Sequence, residues 1–219
     1  RRIVAARLQQ RYLRAFTEAE LDSMNYIYFP MHKETDQPVN FQAAPWFDQS
    51  NTVRLLASVL PHGYFLLVRE HRHNFGLRPS AYYKELSRLP NVILVDAFDQ
   101  QFKYIKNADL VLTENGSSGW EGLLLGRRVL TLSRTFYDGA ALTTKVENIS
   151  QLGSAILQSL AAPAVTDQAA YDRTLAAMID AEFETTFLPD DEESVLRHFT
   201  ITIAPMLRNV ESETLQPAG

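Results

Sequence analysis

The chain has 219 residues, 46% of them hydrophobic and 21% charged, with a net charge of -5 and no cysteine. That describes a globular chain of one domain with additional segments, and it excludes a disulfide scaffold, cysteine-ligated zinc and a thiol nucleophile. The acidic balance argues against nucleic acid as a partner, no apolar run approaches the ~20 residues that cross a bilayer, and no secretory signal is visible.

The absence of cysteine fits the cytosol. The chain starts at Arg1 rather than Met, so it reads as a piece of a longer protein with an upstream part. Residues 1–19 predict a helix, because Val4, Leu8, Tyr12 and Phe16 recur every four residues and form a stripe. Arg1, Arg2, Arg7, Arg11 and Arg14 decorate its other faces, either as a solvated surface or as a basic face for an anionic membrane or partner. "YIYFP" (26–30) reads as a buried strand stopped by Pro30, and 31–48 as a loop. A helix is predicted over 49–60 with Ser50 as N-cap, a strand over 64–70, a helix over 78–89 with Pro79 near its first turn, and a strand over 91–96. A helix over 99–108 precedes the strand "DLVLT" (109–113), and "RVLTL" (128–132) is the fifth strand.

Strands that are continuous apolar runs, alternating with helices, define a parallel sheet buried on both faces. The expected fold class is therefore α/β, a Rossmann-like parallel sheet flanked by helices. After residue 146 the pattern turns helical, with helices over 147–160, 167–183 (Asp167 as N-cap) and 190–207. The expected organisation is a linker helix (1–22), a Rossmann-like domain (23–162), a helical C-terminal extension (163–210) and a disordered tail (211–219).

Ligands of open α/β sheets bind beyond the carboxyl ends of the strands. The residues there are His32, Lys33 and Glu34; Arg69 to His73; Asp96; Glu114 to Gly119; and Ser133 to Gly139. Asn115, Gly116, Ser117, Ser118 and Gly119 form a small-residue cluster between a strand and a helix. A helix N-terminus there presents unpaired N–H groups and a positive dipole end, which suits a phosphate; a tight turn with a serine cap is the bland alternative. The cluster is neither a Walker loop nor G-x-G-x-x-G. Glu121, one turn on, suits either the helix dipole or ribose hydroxyls. His71 follows its strand directly and could stabilise a leaving group, whereas His73, His62 and His198 read as bystanders. His32, Glu34 and Asp36 match no common metal spacing, and no metal site is expected.

"YIYFPMHKETD", "LPHGYFLLVREH", "YYKELSRLPNVILVD", "IKNADLVLTENGSSGWEGLLLGRRVLTL" and "TFYDG" together resemble, over residues 26–140, the bacterial capsule and surface-polysaccharide biosynthesis glycosyltransferases, including Kdo-transferase-like proteins. The resemblance implies the C-terminal, donor-binding half of a two-domain GT-B enzyme, with an upstream acceptor domain and a nucleotide-sugar donor, CMP-Kdo among the candidates. It also implies a glycan or glycolipid acceptor, no cofactor, and a place in the cytoplasm at the inner face of the membrane. Gly116, Ser117 and Ser118 match the family's phosphate loop, Glu121 its ribose-contacting glutamate, Gly126 the glycine closing that block, and His71 the histidine of a His-Pro motif whose proline is here Arg72. Arg69 and His32 complete the expected donor-binding set. A CDP-polyol phosphotransferase-like enzyme of wall-polymer synthesis and a noncatalytic Rossmann-like scaffold are the alternatives. A NAD-dependent enzyme fits less well, because the loop after the first strand lacks glycine.

Overall fold

The computed structural model describes residues 2–33, 46, 48–163 and 165–186. Six strands form one wholly parallel sheet: β1 (Tyr26–Pro30), β2 (Phe65–Arg69), β3 (Val92–Val95), β4 (Leu110–Thr113), β5 (Val129–Thr131) and β6 (Thr143–Lys145), in the order β3-β2-β1-β4-β5-β6. This is a doubly wound order, and its direction reverses between β1 and β4. The connecting helices are α3 (Gln49–Val59), α4 (Ser80–Leu86), α5 (Gln101–Lys106) and α6 (Ser117–Leu124), and α7 (Leu152–Ala161) follows β6 after a 3-10 turn at Ile149–Gln151. The chain divides into two compact units, residues 1–168 and 169–219. The last described helix is α8 (Gln168–Thr186), and of the second unit the structure describes residues 169–186. The helix expected over 190–207, the tail after 210, and Glu34, Asp36 and His198 lie outside the described residues.

The apolar runs become strands because alternate residues are buried on opposite faces. Ile27, Phe29, Leu66, Val68, Leu110, Leu112 and Leu130 join Val53, Leu56, Tyr83, Leu86, Leu152 and Ile156 in one core. On the other face α6 lies so close that a Cβ on Gly122 would stand 3.2 Å from both Val111 and Val129. Glycine there permits the tight helix–sheet approach. Gly126, at φ 66°, ends α6 in the left-handed conformation that glycine adopts freely, and the Arg127 N–H returns to the Gly122 carbonyl at 2.8 Å.

The N-terminal segment departs from the expected single helix over 1–19. Helix α1 (Arg2–Gln10) stops, and α2 (Glu18–Asp22) starts afresh from a Thr17–Glu20 capping box. Between them Arg14 pairs with the edge strand: its N–H donates to the Leu94 carbonyl at 2.8 Å, and its own carbonyl accepts from Asp96 at 3.1 Å. Covering an exposed strand end outweighs continuing the helix. The stripe is consequently split, with Phe16 3% exposed but Val4 62%. Asp48, not Ser50, caps α3; its carboxylate accepts from the Ser50 and Asn51 N–H groups. The three-residue β6 was not anticipated, because "TTK" carries no apolar run.

Candidate functional site

At the carboxyl end of the sheet, where the strand order reverses, lies a cavity of about 430 Å³. Its walls include His32 after β1, Arg69 and His71 after β2, Gln101 of α5, and Asn115, Gly116, Ser117 and Ser118 at the start of α6. Seven of the nine residues singled out from the sequence thus meet in one cleft. Gly119 and Glu121 are not among the lining residues.

The α6 start is shaped by its neighbours. Thr113 Oγ1 accepts from the Gly116 N–H at 3.0 Å, and the Tyr137 hydroxyl donates to the Gly116 carbonyl at 2.7 Å. The first-turn N–H groups of Ser117 and Ser118 precede the intrahelical ladder and supply the anion-seeking end of the helix. Gly116 leaves room for the His32 ring, since a Cβ would lie 2.6 Å from its Cε1. Gly119 is packed closely against its neighbours. A Cβ there would stand 2.4 Å from the Tyr137 hydroxyl oxygen and 2.9 Å from Thr113 Cγ2. Gly119→Ala should therefore displace Tyr137 from the Gly116 carbonyl and cost about 1–3 kcal/mol of stability, the usual penalty of overpacking. Urea unfolding measures it, and an unchanged midpoint would remove Tyr137 from the account of this loop.

Arg69 lines the cleft, but its guanidinium is committed. Nη2 donates to the carbonyls of Ala97 (2.7 Å) and Asp99 (3.0 Å), and Nη1 donates to Gln101 Oε1 (2.8 Å). It is 6% exposed, and it ties the ends of β2 and β3 together. The Gln101 Nε2 group donates onward to Ser118 Oγ (3.0 Å) and Glu121 Oε2 (2.7 Å), and Ser117 Oγ reaches Glu121 Oε1 at 3.4 Å. Gln101 was missed in the sequence, where it is one of two adjacent glutamines in an unremarkable polar helix start.

Glu70 was also missed. It is 1% exposed, and its carboxylate accepts from the His71 N–H (2.7 Å), the Tyr83 hydroxyl (2.8 Å) and Asn74 Nδ2 (3.3 Å), and pairs with Arg78 Nε at 2.7 Å. Burial pushes its pKa up, and Arg78 and these donors oppose that push. Glu70 therefore fixes the loop that carries His71. The His71 and His73 rings stack at 5.1 Å, and the His73 N–H donates to His71 Nδ1 at 3.3 Å. A neutral His71 thus carries its proton on Nε2. His32 is set by Gln49, which accepts from the His32 N–H (2.6 Å) and donates to its carbonyl (3.0 Å). Its Nε2 stands 3.4 Å from Thr113 Oγ1.

Glu114 is wholly buried, and neither carboxyl oxygen has a hydrogen-bond partner among the described residues. Burial raises its pKa to about 8, against the pull of Arg78. Its carbonyl accepts from both the N–H and the hydroxyl of Ser133, each at 3.0 Å. Beyond Ser133, at the ends of β5 and β6, a second cleft of about 450 Å³ is lined by Trp46, Arg134 and Lys145 among others. No group of three His, Cys, Asp or Glu among the described residues could hold a metal ion, and no described helix is long and apolar enough to cross a membrane.

Among solved structures, the UDP-GlcNAc 2-epimerase of Methanocaldococcus jannaschii superposes with a TM-score of 0.51 at 16% identity, covering 74% of this chain and 48% of that one. KpsC of Thermosulfurimonas dismutans, a beta Kdo 2,7 transferase, matches at 0.47 and 15%, covering 83% and 61%. The spinosyn rhamnosyltransferase SpnG matches at 0.47 and 16%, covering 73% and 42%. The chain thus spans between 42% and 61% of the length of these three. At such identities the epimerase likeness speaks to the fold alone. Among the curated proteins none matches. At the level of sequence families, residues 1–177, most of the chain and all of its sheet, match the capsule polysaccharide biosynthesis proteins, and it is to that family that the chain belongs.

Proposed function

We propose that this chain is the donor-binding half of a GT-B glycosyltransferase, moving a sugar from a nucleotide-sugar onto a bacterial surface polysaccharide or its lipid-linked precursor. The observation that carries the reading is the start of α6. It brings Ser117 and Ser118 to a 430 Å³ cleft at the sheet's switch point that His32 and His71 also line. Membership of a capsule-synthesis family supplies the polysaccharide.

In this reading the donor phosphate sits on the N–H groups and hydroxyls of Ser117 and Ser118, with Asn115 beside it and the ribose hydroxyls on Glu121. The acceptor hydroxyl attacks the anomeric carbon as the bond from that carbon to the phosphate oxygen breaks. The bonding electrons leave with the phosphate, and the hydroxyl proton passes to a base supplied by the acceptor half. The helix dipole and the Nε2–H of His71 stabilise the charge that develops on the leaving phosphate. Residues 23–162 form the donor domain, with 1–22 as its linker and 163–210 as its helical extension. The basic N-terminal segment would hold the enzyme at the cytoplasmic face of the membrane.

Thermal shift with CMP, CDP, UDP and GDP tests the site. Stabilisation by CMP or CDP alone points to a CMP-activated sugar or a CDP-polyol donor, whereas UDP or GDP points to a hexose donor. In a form of the protein that includes the acceptor half, Ser117→Ala and Glu121→Ala should each lower transfer by about tenfold or more, the size of one charge-assisted hydrogen bond. Unchanged transfer in both would leave a noncatalytic scaffold as the better description.

A further inference from the structure

We infer that Asn115 is a latent deamidation site, kept intact in the folded chain by the Thr113 hydroxyl that holds the Gly116 N–H. The inference goes beyond the donor-site reading and stands whatever the cleft binds. It concerns a chemical change of the chain itself, just before α6, with water as the co-reactant.

Asn115 is followed by glycine, the residue that shields its own backbone nitrogen least, because it has no Cβ. Both residues are half-buried, Asn115 lines the cleft, and among the described residues nothing holds its side-chain amide. In the reaction the Gly116 nitrogen gives up its proton to a solvent base and attacks Asn115 Cγ. The N–Cγ bond forms, the Cγ–Nδ2 bond breaks, and Nδ2 leaves with that electron pair, taking up a proton to become ammonia. Water then opens the cyclic imide. Opening at Cγ gives aspartate, and opening at the Asn115 backbone carbonyl gives isoaspartate, with an extra carbon in the main chain. Water is consumed, ammonia is released, and nothing is oxidised or reduced.

The fold opposes this reaction at the nucleophile. The Gly116 N–H donates to Thr113 Oγ1 at 3.0 Å, and the Gly116 carbonyl accepts from the Tyr137 hydroxyl at 2.7 Å. Gly116 is therefore pinned at its own nitrogen and its own oxygen, at φ -83° and ψ 166°. To bring its nitrogen to Cγ, the Asn115–Gly116 peptide has to turn, and that turn breaks the bond to Thr113. Thr113 cannot follow, because it is wholly buried at the end of β4 and in register with Thr131 of β5. The end of a buried strand thus clamps the Asn-Gly pair that comes after it. Loss of the amide would put a carboxylate in the cleft, beside the first-turn N–H groups of α6, where it would compete with any anionic ligand.

The full chain is incubated at mildly alkaline pH, native and in concentrated urea, and mass spectrometry follows the Asn115 peptide from amide to acid. The peptide should convert readily in urea and at least about fivefold more slowly in the native chain, the value of one hydrogen bond. Thr113→Val keeps the shape and loses the acceptor, so it should speed native conversion by about fivefold or more. Thr113→Ser keeps the hydroxyl and should stay within about twofold of the unsubstituted chain. Tyr137→Phe, which releases the Gly116 carbonyl, should also speed conversion, and it keeps the idea testable if Thr113→Val does not fold. Ile156→Val trims the core under α7 without touching the loop, and should leave the rate unchanged. An amide that survives in urea would overturn the site itself. Native conversion as fast as in urea, an unchanged rate in a folded Thr113→Val or Tyr137→Phe, or an equal rise in Ile156→Val would overturn the clamp.

Discussion

Replacing Glu70 with alanine should lower the stability of the chain by about 3–5 kcal/mol, the cost of removing one partner from a buried ion pair. The magnitude follows from how much converges on one carboxylate. Tyr83 approaches from α4, Arg78 from the end of the following loop, and the His71 N–H and Asn74 amide from within that loop. Arg78 is 7% exposed, so truncating Glu70 removes the carboxylate that balances a buried guanidinium. Gln9 of α1, itself fully buried, further pins the same loop by accepting from the Gly76 N–H at 2.7 Å. The loop should therefore loosen without detaching. Urea unfolding of Glu70→Ala and Glu70→Gln measures the loss. The glutamine variant, which can still accept from the His71 N–H and Tyr83, should lose less. A loss below about 1 kcal/mol for alanine would mean that the pair's desolvation cost nearly cancels its attraction. In the donor-site reading the alanine variant should also bind nucleotide more weakly, because His71 is placed by Glu70.

This hub explains what could and could not be read from the sequence. Five of the six strands were legible because each lies in a continuous apolar run, and the location of the cleft follows from the parallel order alone. Asn115 to Ser118, His32, Arg69 and His71 stood out because they end strands. What each of them bonds to within the protein was not legible: Arg69 is bonded to loop carbonyls and Gly119 lies against Tyr137. Those facts depend on partners 18 to 30 residues away, which no local pattern encodes. Gln101 and Glu70 were invisible for the same reason: their importance lies in whom they meet. The break of the N-terminal helix is likewise tertiary. Helical periodicity ran straight through Arg14, and only the open edge of β3 reveals why the chain leaves the helix there.

Glu114 should make the fold lose stability as pH rises, and Glu114→Gln should abolish that loss. Its carboxyl follows the buried face of β4, and among the described residues no group donates to either oxygen. The pKa rises from 4.5 to about 8 because burial penalises the charged form more than Arg78 favours it. In the unfolded chain the group ionises near its ordinary value, so between these two values the native state holds the proton and the unfolded state does not. Stability is then fully present below about pH 4.5 and falls through the window up to about pH 8. The slope approaches ~1.4 kcal/mol per pH unit, for a total on the order of 4 kcal/mol. Glutamine mimics the neutral acid and carries no proton to lose. At pH 5 the two proteins should unfold at similar urea concentrations, and at pH 8.5 the variant should be the more stable by several kcal/mol. Parallel pH profiles would show that the native carboxyl ionises at its ordinary pKa. Glu70 sharpens the test, since Arg78 acts on both carboxyls. Removing Glu70 frees Arg78 to favour the charged form of Glu114, so the pH-dependent loss should shrink in Glu70→Ala. A loss of the same size in both backgrounds would mean that Arg78 does not couple the two acids.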